Sequence, residues 1–273
     1  MPEIQNAEYV VLDVETTGLS PQEGDRIVEI AALKLKGLNS AEDYHSLVNP
    51  EREISWGAFQ VHGITPGMLM KAPRAREILP EVLRFIGNSI LVGHNISFDL
   101  GFLLMELNLA GLNPPHDFGS LDTLRIARGL LPELGQYPLW LVAHALGVDT
   151  PQEHRAMADV RLTAAVFLKL MEVAQRKDIH TIEHLQQLFS YPPESDSPRM
   201  LEIKSIVEEA IDRERPLQML YFGVQAASSS SRMVTPKKII EERGKKSLVG
   251  YCHLRRDERQ FRLDRILDIA IVE

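Results

Sequence analysis

The stretch Glu8-Tyr-Val-Val-Leu-Asp-Val-Glu-Thr-Thr-Gly18 decides the fold of the first part of the chain. Its apolar run at 8–14 predicts a buried strand, and the Thr-Thr-Gly that follows predicts the turn that ends it. Because side chains two residues apart point to the same face of a strand, Asp13 and Glu15 present two carboxylates at its carboxyl end. An isolated Asp-x-Glu is also explained by a solvated strand end. The pair therefore indicates a catalytic or metal-binding site only if other segments supply further carboxylates.

The segments that follow this strand predict an α/β domain. Further strands are expected at 27–36 and 43–49, and a short central strand is expected at 90–93. Helices are predicted over 74–87, 96–110, 123–131, 138–146 and 155–175. Strands first, then helices mixed with strands, indicate a mixed sheet covered by helices.

Two more segments place acidic side chains at the ends of elements. In Gly93-His-Asn-Ile-Ser-Phe-Asp99 a strand ends at glycine, and Asp99 falls on the first turn of the next helix. Helix capping is an alternative explanation, because an acid there stabilises the helix dipole by about 0.3–1 kcal/mol. In His154-Arg-Ala-Met-Ala-Asp159, five residues at about 100° each would put the two side chains roughly 140° apart on a helix. We therefore expect His154 in the loop before the helix and Asp159 on the helix itself.

Together these segments supply four carboxylates and one imidazole. Carboxylates are hard ligands that suit Mg²⁺ or Mn²⁺, and two such ions about 3.5–4 Å apart can clamp the attacking and leaving oxygens of a phosphoryl displacement. His154, with an ordinary pKa of about 6.5, is the candidate general base, although a lone histidine is more often structural.

The motifs occur in a fixed order: Asp13-Val-Glu15-Thr-Thr-Gly18, Val61-His-Gly-Ile64, His94-Asn-x-x-Phe-Asp99, Leu121-Asp-Thr-Leu124 and His154-x-x-x-x-Asp159. Over residues 7–172 the chain resembles the DnaQ-like exonucleases, in the histidine-containing (DEDDh) branch that includes the proofreading subunit of bacterial replicative DNA polymerase. The resemblance implies an RNase H-like fold. It also implies two divalent cations, with Asp13 bridging both and Glu15, Asp99 and Asp159 completing the ligand set.

The same resemblance implies contacts with the substrate. The backbone at Thr16 and Thr17 would cradle the terminal nucleotide, and His62, His94 and Phe98 would position its base or sugar. Core packing explains Phe98 equally. Asp122 lies in a family-like segment, but a role as helix N-cap is sufficient to explain it.

Composition changes after the long helix predicted to end at 175. Residues 179–199 are predicted to be a helical piece near 180–190 and a Pro/Ser-rich linker over 190–198, which separates domains at 1–178 and 200–273. Charge changes as well. Residues 1–198 hold 15 Lys and Arg against 26 Asp and Glu, a net of −11, whereas residues 199–273 hold 15 against 12, a net of +3.

The C-terminal part predicts a small, mostly β module. A helix is expected over 200–214, followed by strands at 217–223, 231–241, 246–254, 259–263 and 267–272. Ser228–Ser231 is predicted to be a flexible hairpin loop. Alternation along the fourth of these strands puts Arg259 and Phe261 on one face and Arg262 on the other. A solvated strand pair with Arg–Asp bridges would have the same composition.

The stretch Arg255-Arg-Asp-Glu-Arg-Gln-Phe-Arg-Leu-Asp-Arg-Ile266 resembles the WYL domain. This resemblance implies an SH3/Sm-like β-barrel that binds nucleic acid or a nucleotide ligand. Lys246-Ser247-Leu248 stands where Trp-Tyr-Leu would fall, so two aromatic side chains are missing. Because guanidinium groups match phosphates bidentately, the implied ligand-binding residues are mainly arginines. They are Tyr221, Arg232, His253, Arg255, Arg259 and Arg262.

The expected function is stepwise 3′→5′ hydrolysis of single-stranded DNA to nucleoside monophosphates, with DNA repair or replication proteins as candidate partners. One alternative is an exoribonuclease acting on short RNA. Another is a non-catalytic regulator in which the nuclease fold is a scaffold.

Composition limits the remaining classes of protein. An apolar content of 44% and a charged content of 25% exclude wholesale disorder. The single cysteine, Cys252, excludes an intrachain disulfide. No basic leader with an apolar run is present, and no uncharged apolar stretch reaches the roughly 20 residues that cross a bilayer, so a cytoplasmic location is expected.

Overall fold

A computed structural model describes residues 3–114, 119–149, 152–190, 197–224 and 226–273. The first domain is built on a five-stranded mixed sheet in the order β3-β2-β1-β4-β5. Its strands are β1 (Glu8–Thr16), β2 (Ile27–Lys36), β3 (Asn39–Leu47), β4 (Ile90–Gly93) and β5 (Ser120–Asp122). The first three form an antiparallel meander, and β4 and β5 run parallel to β1. The predicted mixed sheet is confirmed.

Helices cover both faces of this sheet. They are α1 (Trp56–His62), α2 (Pro66–Leu69), α3 (Ala75–Ile86), α4 (Ser97–Leu109), α5 (Thr123–Leu130), α6 (Leu139–Ala145), α7 (Ala156–Gln175) and α8 (Ile182–Phe189). Tyr9 and Val11 of β1 pack with α5 to α8, whereas Val10 and Leu12 pack with α3 and α4. A strand buried on both faces has apolar residues at consecutive positions, which explains the unbroken run that predicted it.

Three short elements were missed by the sequence reasoning. Helices α1 and α2 have seven and four residues, and β5 has three, so each is shorter than the stretch over which hydrophobic periodicity identifies a helix or a strand. The two helices begin at side-chain caps, because Ser55 Oγ accepts from Ala58 N at 3.2 Å and Thr65 Oγ1 accepts from Met68 N at 3.4 Å. In the described part of the chain, no helix is long and apolar enough to cross a membrane.

The C-terminal module is a helix on an antiparallel sheet. It contains α9 (Pro198–Asp212), β6 (Leu217–Gly223), β7 (Ser228–Glu242), β8 (Lys245–Cys252), β9 (Asp257–Arg262) and β10 (Ile266–Ile271), with strand order β10-β6-β7-β8-β9. Ile203 and Val207 of α9 pack into the apolar cluster of this sheet. The predicted mostly-β module is confirmed.

The prediction of a flexible loop at Ser228–Ser231 is wrong. These serines form the first residues of β7 and pair with Leu220–Gly223 of β6. Backbone pairing with an established strand overrides the low strand preference of serine, which sequence reasoning took as a loop signal. Ser229 Oγ also donates to Asp178 Oδ2 of the first domain at 2.6 Å.

Helix α8 joins the first domain to the module. His184 Nε2 lies 3.0 Å from Leu267 O, and Gln187 Nε2 donates to Ile266 O at 2.8 Å. The Phe189 ring meets the Phe222 ring edge-on, with centroids 6.3 Å apart. The two parts therefore share apolar and polar contacts. Most of the predicted linker, residues 191–196, lies outside the described residues.

Candidate active site

Three carboxylates meet at the carboxyl end of β1. Ligand oxygens of Asp13, Glu15 and Asp159 lie within 4.8 Å of one another. Asp13 and Glu15 leave the same face of β1, and Asp159 projects from the first turn of α7 as predicted. Oxygen donors gathered this closely fit a hard divalent cation such as Mg²⁺ or Mn²⁺.

Asp99 lies beside this group rather than inside it. It occupies the first turn of α4, as predicted, and its Oδ1 accepts from Val14 N at 2.9 Å. Val14 separates Asp13 and Glu15 in the strand, so this hydrogen bond holds Asp99 against the backbone that carries both of them. The fourth carboxylate therefore adjoins the other three from the opposite helical layer.

Burial and nearby charges raise the pKa values of Asp13, Glu15 and Asp99. Burial, followed by the charges of Asp99 and Glu15, raises the pKa of Asp13 well above its ordinary value. Burial and the charge of Asp159 raise the pKa of Glu15 to about 8. Burial raises the pKa of Asp99 to about 7, although the hydrogen bond from Val14 N opposes the shift. A site that destabilises its own anions in this way is suited to cations, which would remove the repulsion.

His154 lies at the edge of the carboxylate group. It occupies the loop before α7, as expected, and has a left-handed backbone with a φ of 50°. Its side chain is 51% exposed, and its Nδ1 lies 3.9 Å from Asp159 Oδ2. The imidazole is therefore open to solvent while it stays within reach of the acids, which is the placement that proton transfer to or from a bound water requires.

The sequence reasoning missed Glu29, which anchors the loop carrying His154. Glu29 is 1% exposed and accepts from Arg155 Nε at 3.0 Å, from Arg155 Nη2 at 2.6 Å and from Ala156 N at 3.0 Å. His45 Nε2 lies 2.8 Å from the same carboxylate. Burial raises the pKa of Glu29, but the hydrogen bonds from Arg155, His45 and Ala156 outweigh burial, and the net pKa is lowered.

This bidentate pair ties residue 155 to β2, directly opposite Glu15 in the strand register. A non-glycine residue with positive φ persists only when its surroundings hold it there. The Glu29–Arg155 pair supplies that restraint to His154, the preceding residue. The available signal was a glutamate inside the otherwise apolar run Ile27-Val-Glu-Ile-Ala-Ala-Leu33.

The turn after β1 buries Thr16 and Thr17. Thr16 Oγ1 donates to Gly18 O at 2.6 Å, and Thr17 Oγ1 donates to Asp25 Oδ1 at 3.0 Å. A Cβ at Gly18 would clash with the Asp25 carboxylate, so the turn requires glycine there. Both threonine hydroxyls are used within the protein, and Thr17 N donates to Arg26 O at 2.9 Å, so the turn is held rigidly at the end of β1.

His62 is attached to the same turn. Its Nε2 lies 3.2 Å from Thr16 O, and Ile64 N donates to its Nδ1 at 2.9 Å. Since Nδ1 accepts a hydrogen bond, Nε2 carries the proton and donates to Thr16 O. Burial lowers the pKa of His62, which favours this neutral form.

His94 and Phe98 have internal partners. His94 Nδ1 lies 2.9 Å from Thr123 Oγ1 and its Nε2 lies 2.9 Å from Tyr137 O, so both ring nitrogens are engaged within the protein. Burial lowers the pKa of His94. The Phe98 ring packs 4.9 Å from the ring of Phe102.

Asp122 is a helix cap, as the sequence predicted. Its Oδ1 accepts from Leu124 N at 2.9 Å and also from Asn95 N at 2.9 Å. It therefore joins the start of α5 to the loop that leads from β4 to Asp99.

Exposed apolar side chains beside the turn were also missed. Leu19 is 86% exposed, Trp56 is 73% exposed, and the Trp56 ring lies 5.6 Å from the ring of Phe59. Ser55 N donates to Thr17 O at 2.9 Å, which fixes the start of α1 next to the turn. A tryptophan at the start of a short exposed helix was the available signal.

The structure separates the residues that were predicted to bind a ligand in the module. Tyr221, Arg232, Arg255 and Arg259 line a cavity of about 930 Å³, and Phe261 lines it with them. Arg232 Nη1 is buried and has no hydrogen-bond partner among the residues that the structure describes.

The other two predicted ligand-binding residues lie elsewhere. His253 Nε2 lies 2.8 Å from Thr235 Oγ1, and His253 is not part of the cavity lining. Arg262 forms a bidentate pair with Asp264 and faces the first domain. The predicted separation of Arg262 from Arg259 and Phe261 agrees with this arrangement.

The mixed sheet, its two helical layers and the acidic group at the end of β1 define a DnaQ-like exonuclease domain of the DEDDh class, followed by a WYL domain. The chain belongs to the Exonuclease (RNase_T) family, whose model matches residues 10–167. The WYL domain model matches residues 202–271.

Similar proteins include parts of replicative DNA polymerases. The DNA polymerase III PolC-type of Thermotoga petrophila is 40% identical over 185 residues, and that of Clostridium perfringens is 36% identical over 186 residues. Each alignment covers 67% of this chain but only 13% and 12% of the respective polymerase. The chain thus spans about one eighth of the length of these relatives.

Solved structures show the same fold. Exonuclease X in complex with 5′ overhanging duplex DNA is 28% identical with a TM-score of 0.51, and the match covers 61% of this chain and 93% of that one. Exonuclease I of E. coli in complex with a dA16 oligonucleotide is 20% identical with a TM-score of 0.58, covering 90% of this chain and 55% of that one. At this identity the second match is evidence of the fold alone.

Proposed function

We propose that this protein is a metal-dependent 3′→5′ exonuclease that hydrolyses single-stranded DNA from its 3′ end to nucleoside monophosphates. The observation that carries the proposal is the convergence of Asp13, Glu15 and Asp159 within 4.8 Å, with Asp99 against the same strand and His154 beside Asp159. Membership of the Exonuclease family supports it, and the 40% identity to a DNA polymerase favours DNA as the substrate.

The carboxylates and the histidine have separate roles in this proposal. Asp13, Glu15, Asp99 and Asp159 hold two Mg²⁺ or Mn²⁺ ions, which when bound supply Lewis-acid stabilisation of the phosphoryl group. His154 accepts the proton of the attacking water, because its exposed imidazole lies beside the acids without being one of the oxygen donors. The Glu29–Arg155 pair keeps the loop of His154 against the sheet.

The turn after β1 receives the terminal nucleotide. The backbone of Thr16 and Thr17 contacts the nucleotide, and His62 holds that backbone through its hydrogen bond to Thr16 O. Leu19 and Trp56 offer apolar surface to bases, and such contacts are tolerant of sequence because every base has a π-face. We also assign His94 and Phe98 to the binding site of this nucleotide, because they lie just before and at the start of α4, which carries Asp99.

The module contributes a second binding site. Tyr221, Arg232, Arg255 and Arg259 surround the cavity of about 930 Å³, and the unpartnered Nη1 of Arg232 is a donor suited to a phosphate oxygen. We assign this cavity to nucleic acid or to a nucleotide ligand.

A 5′-labelled single-stranded DNA oligonucleotide incubated with Mg²⁺ or Mn²⁺ tests the proposed activity. We expect a ladder of products shortened from the 3′ end and release of mononucleotides. The variant Asp13→Asn should abolish the ladder, whereas Asp43→Asn, which removes the same charge from the half-exposed β3 strand, should leave it unchanged. An intact oligonucleotide with either metal, or full activity of Asp13→Asn, would contradict the proposal.

Two alternative functions predict different results in this assay. Faster shortening of an RNA strand than of the DNA strand of the same sequence would indicate an exoribonuclease. Tight binding of either strand without cleavage in the presence of either metal would indicate a nucleic-acid-binding regulator built on a nuclease scaffold.

A further inference from the structure

A groove runs between the first domain and the module. Two cavities of about 340 and about 280 Å³ lie there, and they share lining residues, so we treat them as one interdomain groove. Helix α5 of the first domain forms one wall, and the start of β8 and the connection from β9 to β10 form the other. Leu188 of α8 lies in both linings. The groove therefore exists only because the two parts are packed together.

The lining of this interdomain groove is strongly basic. It contains seven cationic side chains: Arg125, Arg128, Arg243, Lys245, Lys246, Arg262 and Arg265. Asp264 is the one carboxylate among the lining residues, and it pairs with Arg262. Arg125, Lys245 and Arg265 have no ion-pair partner within the described part of the chain.

Some basic residues outside the groove are neutralised by neighbouring carboxylates. Arg52 pairs with Asp25 at 3.3 Å, and Arg213 pairs with Glu209 at 2.9 Å. A chain with a net charge of −8 that gathers seven cations and one carboxylate in one groove has a surface suited to a polyanion.

The groove begins next to the proposed catalytic residues. Asp122, the cap of α5, accepts from Asn95 N, in the loop that leads to Asp99. Arg125 follows three residues after this cap, and Arg128 follows one helical turn later, so both lie on the same side of α5. At its other end the groove meets the cavity of the module, because Arg265 lines both. Helix α5 thus links the carboxylate site to the module through a row of cations.

We infer that the interdomain groove binds the phosphate backbone of single-stranded nucleic acid on the 5′ side of the terminal nucleotide. Seven cations spread over two domains suit several consecutive phosphates rather than the one phosphate group of a free nucleotide. Positively charged grooves that follow the backbone give binding that is independent of base sequence and strongly dependent on salt. The inference rests on the proposed function, since it supplies the strand that the carboxylate site shortens.

Charge removal in the full-length protein tests the groove directly. The groove variant combines Arg125→Gln, Arg128→Gln, Lys245→Gln and Arg265→Gln. The control variant combines Arg76→Gln, Arg84→Gln, Arg213→Gln and Arg215→Gln, which remove the same charge from exposed positions outside the lining. Arg76 and Arg84 belong to α3, which covers the opposite face of the sheet from α5. The pair on α5 and the pair on the module are also substituted in two separate variants. The test can then be made even if the variant with all four substitutions does not fold.

Binding is measured without cleavage, by fluorescence anisotropy in EDTA, with labelled DNA of about 4 and about 20 nucleotides. For the long strand we expect the groove variant to bind about 10-fold or more weakly than the control variant. The slope of log K against log salt should fall by about 2–3, or about 0.7 for each cation removed. The short strand should lose less, about 2-fold, because it reaches only the beginning of the groove and contacts fewer of the four cations.

Equal affinities and equal salt slopes for the two variants would overturn the inference. So would full competition by a nucleoside monophosphate at the same concentration of phosphate groups, because that result would indicate a site for a small ligand. The proposed function has a different readout, which is shortening of the short strand by the unmodified protein with Mn²⁺. If that shortening is absent, the proposed function fails while the binding comparison in EDTA still decides the role of the groove.

Discussion

The acidic end of β1 and the interdomain groove are opposite in both charge and construction. The acidic site gathers carboxylates from two layers of one domain, three of them within 4.8 Å, and burial raises the pKa values of Asp13 and Glu15. The groove spreads seven cations along walls that belong to both domains. Carboxylates placed this close together repel one another, and bound cations would remove that repulsion. Cations spread along a groove can instead contact successive phosphates of one strand. Substitutions in the acidic site and in the groove test these two regions separately.

Asp13→Asn should produce the largest effect, because Asp13 lies in the group of carboxylates that would hold the ions. We expect kcat to fall by about 10⁴-fold. The same substitution replaces a carboxyl group whose charged form is destabilised by burial and by its acidic neighbours, so in EDTA the variant should be at least as stable as the unmodified protein. Single-turnover cleavage and thermal melting measure the two effects. A large loss of stability in EDTA would mean that Asp13 is structural rather than destabilised by its neighbours.

His154→Ala should reduce kcat by about 10²–10³-fold, the range typical of a lost general base. Metal binding should survive, because His154 is 51% exposed and lies outside the group of oxygen donors. Isothermal titration with Mn²⁺ serves as the control measurement. If the substitution instead weakened Mn²⁺ binding as strongly as Asp13→Asn does, His154 would belong to the ligand set.

Arg155→Gln should reduce kcat by about 10–100-fold, because it should displace the neighbouring His154. The change breaks the bidentate pair with Glu29 and releases the loop that holds His154 at its φ of 50°. DNA affinity measured in EDTA should stay unchanged, which distinguishes positioning from binding. Arg161→Gln, at an exposed pair with Asp43, is the matched control. A change confined to KM would refute the positioning role.

Mn²⁺ affinity should rise by about 100-fold or more between pH 6 and pH 8. The metal-free protein holds protons on Asp99, with a pKa of about 7, and on Glu15, with a pKa of about 8. Both pKa values are raised, so cation binding must release these protons, and it becomes easier as pH rises through this range. Isothermal titration at several pH values measures the effect. An affinity independent of pH would show that the carboxylates are already ionised without metal.

The acidic site was predictable from sequence because each of its parts is local. Asp13 and Glu15 follow an apolar run, Asp99 falls on a first helical turn, and His154 precedes Asp159 at a fixed interval. The spacing within each segment determines where its side chains point, and the order of segments identified the family. The role of Glu29 was not predicted, because its partner Arg155 is distant in sequence. The two residues meet only because α7 packs against the sheet.

The groove could not be predicted in the same way. Arg125 and Arg265 are separated by about half of the chain, and neither belongs to a motif that indicates phosphate binding on its own. Their proximity depends on how α8 packs against the module, through contacts such as Gln187 to Ile266 O and Phe189 to Phe222. The strand at Ser228–Ser231 was misjudged for a related reason, since its partner strand rather than its composition determines its conformation.

Asp264→Asn should change DNA affinity least of all these substitutions. It should strengthen DNA binding, whereas removal of cations from the groove should weaken it. Asp264 is the carboxylate in the lining and is engaged with Arg262, so its neutralisation adds one net positive charge and frees a guanidinium for phosphate. We expect a long DNA strand to bind about 2–4-fold more tightly at low salt, with a salt slope steeper by about 0.7. Asp268→Asn, which removes the same charge from an exposed position on β10, is the matched control. Tighter binding by both variants to the same degree would indicate a general effect of net charge, whereas a gain specific to Asp264→Asn requires the strand to pass through the groove.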